Sequence, residues 1–92
     1  MTPDEAHLNA LLGSAGKRIA SQPGAKDLVE RIRTADSSED LASFLRSVDL
    51  GLEPPARDAI VDAAESTRWR EVHATLVRSA EQQLIDRFSA SS

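Results

Sequence analysis

The sequence predicts an all-α fold: a compact bundle of four to five short helices that ends in a long C-terminal amphipathic helix. Apolar residues recur at spacings of three and four along most of the chain, as expected for helices buried on one side. No stretch shows the strict apolar–polar alternation of a half-buried strand. A chain of 92 residues forms one core at most, so we expect a single domain over residues 1–92, with a frayed tail over residues 89–92.

The first helix is expected from about Pro3 to about Ser21. Thr2 is a candidate N-cap, and a proline suits the first helical position because no helical hydrogen bond needs its amide. Gly13 and Gly16 lie inside this helix, where they indicate either a close crossing with another helix or a break into two short helices. The apolar stripe consists of Leu8, Leu11, Leu12, Ala15 and Ile19.

Two further helices are expected in the middle of the chain. The second runs over about residues 25–35, with Asp27 and Arg31 as an ion pair on its outer side. The third follows Ser37, a candidate N-cap, and Gly51 is expected at its C-terminal cap. The buried faces of these two helices consist of Leu28, Val29, Ile32, Leu41, Phe44, Leu45 and Val48.

A fourth helix is expected to begin at Pro54 and a fifth at Trp69. The five-residue step from Ala64 to Trp69 breaks the apolar stripe, so we expect a bend there, with Ser66 or Thr67 capping the new helix. The stripe of the fifth helix is the longest in the chain. It consists of Trp69, Val72, Leu76, Val77, Ala80, Leu84, Ile85 and Phe88.

The composition disfavours several classes of protein. The chain has no cysteine and only two histidines, so we expect no disulfide, no metal site and no cofactor. No segment reaches the roughly 18 apolar residues of a membrane span, and the first residues lack the pattern of a signal peptide, so we expect a cytoplasmic protein without membrane contact. The net charge of −4 disfavours a dedicated nucleic-acid binder.

The candidate binding residues lie around the start of the fifth helix. A tryptophan between two arginines is typical of an interface hot spot, although Trp69 is also suited to plug the end of its own bundle. The acids on the fourth helix are typical of a solvated face and, as a binding site, would suit a partner that carries arginines. We therefore predict a non-catalytic protein, a regulator, adaptor or minor subunit, that binds another protein or a second copy of itself. The candidate interface residues are Arg68, Trp69, Arg70, His73, Asp58, Asp62 and Glu65.

A second interpretation comes from the spacing of Arg68 and His73. The pair resembles the Rx4–6H motif of HEPN-type ribonucleases, which are also helical. The resemblance implies that both side chains face one cleft, where the histidine assists attack of a ribose 2′-hydroxyl on phosphate. It covers two of the 92 residues, and Trp69 follows the arginine where the family prefers a small polar residue. Within one regular helix, a spacing of five places the two side chains about 140° apart.

A third interpretation is association with nucleic acid, as a small subunit of a ribonucleoprotein or as a DNA-binding regulator. Residues 17–33 are the most basic region, but acids interrupt it and it contains no aromatic residue for base stacking. Residues 25–48 have the lengths of a helix-turn-helix. Its second helix, however, would present Glu39, Asp40 and only one arginine to the phosphates, which is unfavourable.

Overall fold

A computed structural model of the protein describes the backbone of residues 3–91 and the side chains of residues 5–89. Helices are the only regular secondary structure in this part of the chain, which contains no strand, and this confirms the all-α prediction. The predicted cap Thr2 lies outside the described residues, as does the last residue of the predicted frayed tail. The helices are α1 (Pro3–Ser21), α2 (Ala25–Arg33), α3 (Ser38–Ser47), α4 (Pro54–Glu65) and α5 (Trp69–Ser91).

The first and last helices lie side by side and run parallel. Near their beginnings, Arg68, the residue directly before α5, forms an ion pair with Glu5 of α1 at 3.6 Å. Near their ends, the guanidinium of Arg87 donates a hydrogen bond to the carbonyl oxygen of Ala20. The contacts therefore advance in the same direction along both helices, and this pair forms the most extensive helix packing in the molecule.

The other helices cover the remaining sides of α5. After the turn at Gly24, α2 runs back antiparallel to α5, because Ile32 contacts His73 while Lys26 contacts Phe88. Helices α3 and α4 pack against each other, and both also contact α5. Among the helices that the structure describes, none combines the length and the apolar character needed to cross a membrane.

The core is aliphatic apart from Phe44 and lies where all five helices meet. Leu8, Leu11, Leu28 and Val48, four of the residues predicted to face inward, are only partly buried against it. Complete burial of one leucine or isoleucine side chain contributes about 1.5–3 kcal/mol to folding. The largest side chains with almost no solvent exposure are Leu12, Ile19, Ile32, Leu41, Leu45, Ile60 and Leu76.

Gly16 marks a close helix crossing, and α1 continues through it without a break. A Cβ atom added at Gly16 would lie 2.8 Å from the Cβ of Ser79 and 3.0 Å from the backbone nitrogen of Ala80. The Ser79 hydroxyl also donates a hydrogen bond to the carbonyl oxygen of Gly13, at 3.3 Å. A side chain at position 16 would therefore separate α1 from α5.

The start of α3 confirms one prediction and corrects another. The hydroxyl of Ser37 accepts a hydrogen bond from the amide of Asp40 at 3.1 Å, as expected of an N-cap. Arg31, however, does not pair with Asp27 as predicted; its guanidinium holds both carboxylate oxygens of Asp40, at 2.9 and 3.2 Å. This two-pronged hydrogen bond lowers the pKa of the Asp40 carboxyl below its usual value.

Two helices end earlier than the sequence predicts. Helix α2 ends at Arg33 with Thr34 as its cap, and α3 ends at Ser47, so Gly51 is not the C-terminal cap of α3. Gly51 instead has a φ of 65° in a turn where its amide donates to the carboxylate of Asp49 at 2.9 Å. That carboxylate also accepts a hydrogen bond from Arg18 at 2.7 Å, which is the main cause of its lowered pKa. The turn at Gly51 therefore helps to hold the Asp49 carboxylate where it binds Arg18 of α1.

Candidate functional site at the two ends of the last helix

The turn between α4 and α5 sets the position of the predicted site. Helix α4 ends at Glu65, and the chain bends before α5 begins, as the break in the apolar stripe predicts. The hydroxyl of Ser66 accepts from the amide of Arg68 at 3.2 Å and donates to the carbonyl of Ala63 at 2.7 Å. The carbonyl of Ser66 also accepts from the amide of Trp69 at 3.2 Å. Ser66 therefore joins the two helices.

Trp69 is partly buried and packs against the core at this bend. The guanidinium carbon of Arg70 lies 5.6 Å from the centre of its ring, a cation–π distance. The ring of His73 meets it edge to face, with the ring centres 6.3 Å apart. Trp69, Arg70 and His73 therefore form one contiguous group, part of which is open to solvent.

Arg68 is directed away from this group, towards α1. Its guanidinium donates to the carboxylate of Glu71 at 2.8 and 2.9 Å and lies 3.6 Å from the carboxylate of Glu5. The hydrogen bonds to Glu71 raise the pKa of Arg68, with the charge of Glu5 adding to the effect. A groove of about 400 Å³ between α1, α4 and α5 lies beside this ion-pair network. The carboxylates of Glu5 and Glu71, which line this groove, both bind Arg68 at the edge of the groove.

His73 is directed towards α2. Its Nε2 atom lies 2.7 Å from the carbonyl oxygen of Ile32, and because a carbonyl only accepts, Nε2 carries the hydrogen. His73 is not among the residues that line the groove beside Arg68. The two residues of the HEPN-like motif therefore contact different helices, and the ribonuclease interpretation remains a prediction without a shared cleft to support it.

The predicted acidic row on α4 is exposed, and one member has a partner within the chain. Asp58 and Asp62 lie on the outer side of α4, whereas Glu65 forms an ion pair with Arg46 of α3. Over residues that the structure describes, no group of three side chains is arranged to hold a metal ion. The structure brings Trp69, Arg70 and His73 together, but it gives Arg68 and Glu65 separate partners.

The opposite end of α5 carries a surface that the sequence analysis did not identify. The stripe prediction placed Ile85 and Phe88 in the core, but 57% and 56% of their surfaces are exposed. They are the exposed large apolar side chains of the described region. Together with the partly buried Leu84 and the buried Val29 of α2, they form what we call the Phe88 surface.

Helix geometry explains why the stripe leaves the core. Each residue turns an α-helix by about 100°, so Ile85 lies about 180° and Phe88 about 120° from the buried Leu76. The positions that continue the core face are occupied by polar residues, Gln83 and Arg87. The signal was therefore present in the sequence, since a spacing of four repeated from Val72 to Phe88 winds gradually around the helix.

The Phe88 surface contains a ridge with a groove on either side. Phe88 lines both grooves, one of about 350 Å³ beside Val29 and Ile85 and one of about 370 Å³ beside the α1–α2 turn. The ammonium of Lys26 lies 5.0 Å from the centre of the Phe88 ring. Four charged side chains line the first groove, two basic and two acidic: Lys26, Arg33, Glu30 and Glu81.

Comparisons with models of protein families, with curated proteins and with solved structures found no match to this chain.

Proposed function

We propose that this chain is a small, non-catalytic helical protein that acts by binding another protein molecule, as a regulator, adaptor or minor subunit. The observation that carries the proposal is the exposure of Ile85 and Phe88 on a surface rimmed by charges. A cluster of apolar side chains with a polar rim is the usual organisation of a protein-binding surface. Full burial of each such side chain is favoured by about 1.5–3 kcal/mol.

The arrangement of the basic residues supports protein binding over binding to nucleic acid. Of the basic region at residues 17–33, Arg18 pairs with Asp49, Arg31 pairs with Asp40, and Arg33 lies 3.4 Å from Glu30. These carboxylates neutralise the arginines locally, so the region presents a weaker positive potential to phosphates than its composition suggests.

The group around Trp69 remains the second candidate surface for the same function. Trp69 and Arg70 are solvent-accessible at one edge, and the exposed acids Asp58 and Asp62 lie on the preceding helix. The Phe88 surface is the stronger candidate, because its apolar side chains are more than half exposed whereas Trp69 is mostly covered by its own chain.

Affinity capture with three versions of the chain tests the proposal. The original chain, Ile85→Glu and the matched control Ala74→Glu are immobilised, and proteins from the native host are captured and identified by mass spectrometry. Ala74 is exposed on the same helix, so the control adds the same charge away from the Phe88 surface. We expect the original chain and the Ala74→Glu control to capture one protein in stoichiometric amount. Ile85→Glu should not capture that protein. Capture of nucleic acid alone, by all three versions, would contradict the proposal.

A further inference from the structure

We infer that the Phe88 surface is a self-association site that binds the same surface of a second copy of this chain. The inference rests on the proposed protein-binding function and specifies its partner. A twofold-symmetric interface requires one patch to be complementary to itself. The Phe88 surface meets this requirement in shape and in charge.

The shape supplies both a projecting group and a cavity to receive it. Phe88 projects from the surface with more than half of its area exposed, and the grooves beside it measure about 350 and 370 Å³. Both grooves are open along the surface rather than enclosed. The aromatic ring of one copy can therefore enter a groove of the other, and the twofold axis repeats the same contact in reverse.

The charges around the surface can complement those of a second copy, because a twofold axis can place the basic side chains of one rim opposite the acidic side chains of the other. The groove beside Val29 and Ile85 is rimmed by the basic Lys26 and Arg33 and by the acidic Glu30 and Glu81, so its net charge is zero. A rim of one sign would repel an identical rim and disfavour association. The chain as a whole carries −4, so this neutral rim allows two copies to approach where the average surface would repel.

The size of the surface sets the expected strength. A standard interface buries about 800 Å² on each partner, and smaller interfaces are weak and transient. The total accessible surface here is 5668 Å², and the apolar centre of the patch consists of four side chains. We therefore expect a weak, transient dimer that forms at high protein concentration.

Sedimentation equilibrium of the whole chain tests the inference. Over about 5 μM to about 500 μM, a range suited to a weak dimer, the mean mass should rise from one chain towards two. Ile85→Glu should keep the mass of one chain throughout, with unchanged circular dichroism, while Ala74→Glu should associate like the original. A constant monomer mass for the original chain, or equal association of Ile85→Glu, overturns the inference.

Disulfide trapping provides a second readout, because the chain contains no cysteine. Ser89→Cys places a thiol one turn beyond Ile85, and Ser43→Cys places one on an exposed position of α3. Under mild oxidation, Ser89→Cys should form a covalent dimer at least about tenfold faster than Ser43→Cys if the twofold brings the Phe88 surfaces together. Equal rates overturn the inference.

The failure of self-association can be distinguished from the failure of protein binding. If the original chain stays monomeric but captures a different protein that Ile85→Glu loses, the second-copy inference is wrong and the proposed function stands. If the chain neither associates nor captures a protein through Ile85, both are wrong.

Discussion

Large apolar side chains lie at both ends of α5, but they are packed against the core at its beginning and exposed to solvent near its end. At the beginning of the helix, Trp69 packs against the core, and Arg68 and His73 have partners on α1 and α2. At the other end, Ile85 and Phe88 are more than half exposed. The difference follows from angular position, because the core face of the last turns carries Gln83 and Arg87 instead. The same helix therefore contributes buried side chains to the core at one end and presents exposed apolar side chains, the proposed binding surface, at the other.

The largest expected difference between the two ends concerns stability. Leu76 is completely buried, so Leu76→Ala should lower the free energy of unfolding by about 2–5 kcal/mol, through lost burial and the cavity left behind. Ile85→Ala should change it by less than about 0.5 kcal/mol. Urea unfolding followed by circular dichroism at 222 nm checks both values. Similar losses in the two variants would mean that the ends of α5 do not differ in this way.

Trp69 and Phe88 should show opposite effects on stability and association. Because Trp69 is largely buried, Trp69→Ala should lower the free energy of unfolding by about 2 kcal/mol, less than a fully buried tryptophan, and leave association intact. Phe88→Ala should reduce association and leave stability nearly unchanged. If Trp69→Ala or Arg70→Glu abolishes association while helicity persists, the interface lies at the beginning of α5, around the residues first predicted from sequence.

Gly13 and Gly16 both lie inside α1, but of these two only Gly16 is so close to α5 that an added Cβ atom would meet it. Gly16→Ala should lower stability by about 1 kcal/mol, because the added methyl group meets Ser79 and the overpacking exceeds the gain in helix propensity. Gly13→Ala should raise stability by up to about 1 kcal/mol, since nothing lies within 4 Å of the added atom. Thermal melts of the two variants should therefore shift in opposite directions. A higher melting temperature in both variants would show that α1 and α5 can move apart to accommodate a methyl group at position 16 without loss of stability.

The smallest expected effect lies away from α5, at the pair of Arg31 and Asp40. Arg31→Ala should raise the pKa of the Asp40 carboxyl towards the usual aspartate value, which NMR titration of the side-chain carbon measures. Because the folded-state pKa is lowered, the stabilisation is present above the usual aspartate pKa and is lost as the pH falls through the lowered value. The difference in the free energy of unfolding between the original chain and Arg31→Ala should therefore become smaller in acid. An unchanged pKa would mean that the pair does not persist in solution.

Local signals in the sequence predicted most of the fold, because they act over a few residues. Pro54 at the start of α4, the Ser37 cap and the bend at Ser66 each depend on backbone groups nearby. The errors concern choices between competing partners. Asp27 is the helical neighbour of Arg31, but Asp40 comes within reach only because α3 folds back beside α2.

The candidate site was predicted less well for the same reason. Residue types around Trp69 are typical of an interface, but the sequence does not show that Arg68 is held by Glu5 from α1 or that Glu65 pairs with Arg46. The exposure of Ile85 and Phe88 was accessible in principle from the 100° rotation per residue. Apolar residues at a repeated spacing of four shift gradually around an α-helix, so a long row of them does not stay on the face that packs against the core.

The parallel packing of α1 against α5 has a consequence for synthesis on the ribosome. The main partner of α1 is α5, which is translated after the other four helices, whereas α3 and α4 are adjacent in the chain and can dock as soon as both have emerged. Helices α2 and α4 contact part of α1 earlier, but the face of α1 that packs against α5 stays exposed until α5 has been made and is available to chaperones during that time. The contacts between α1 and α5 join helices that lie far apart in the sequence, so we expect the bundle to become stable only after α5 has emerged from the ribosome.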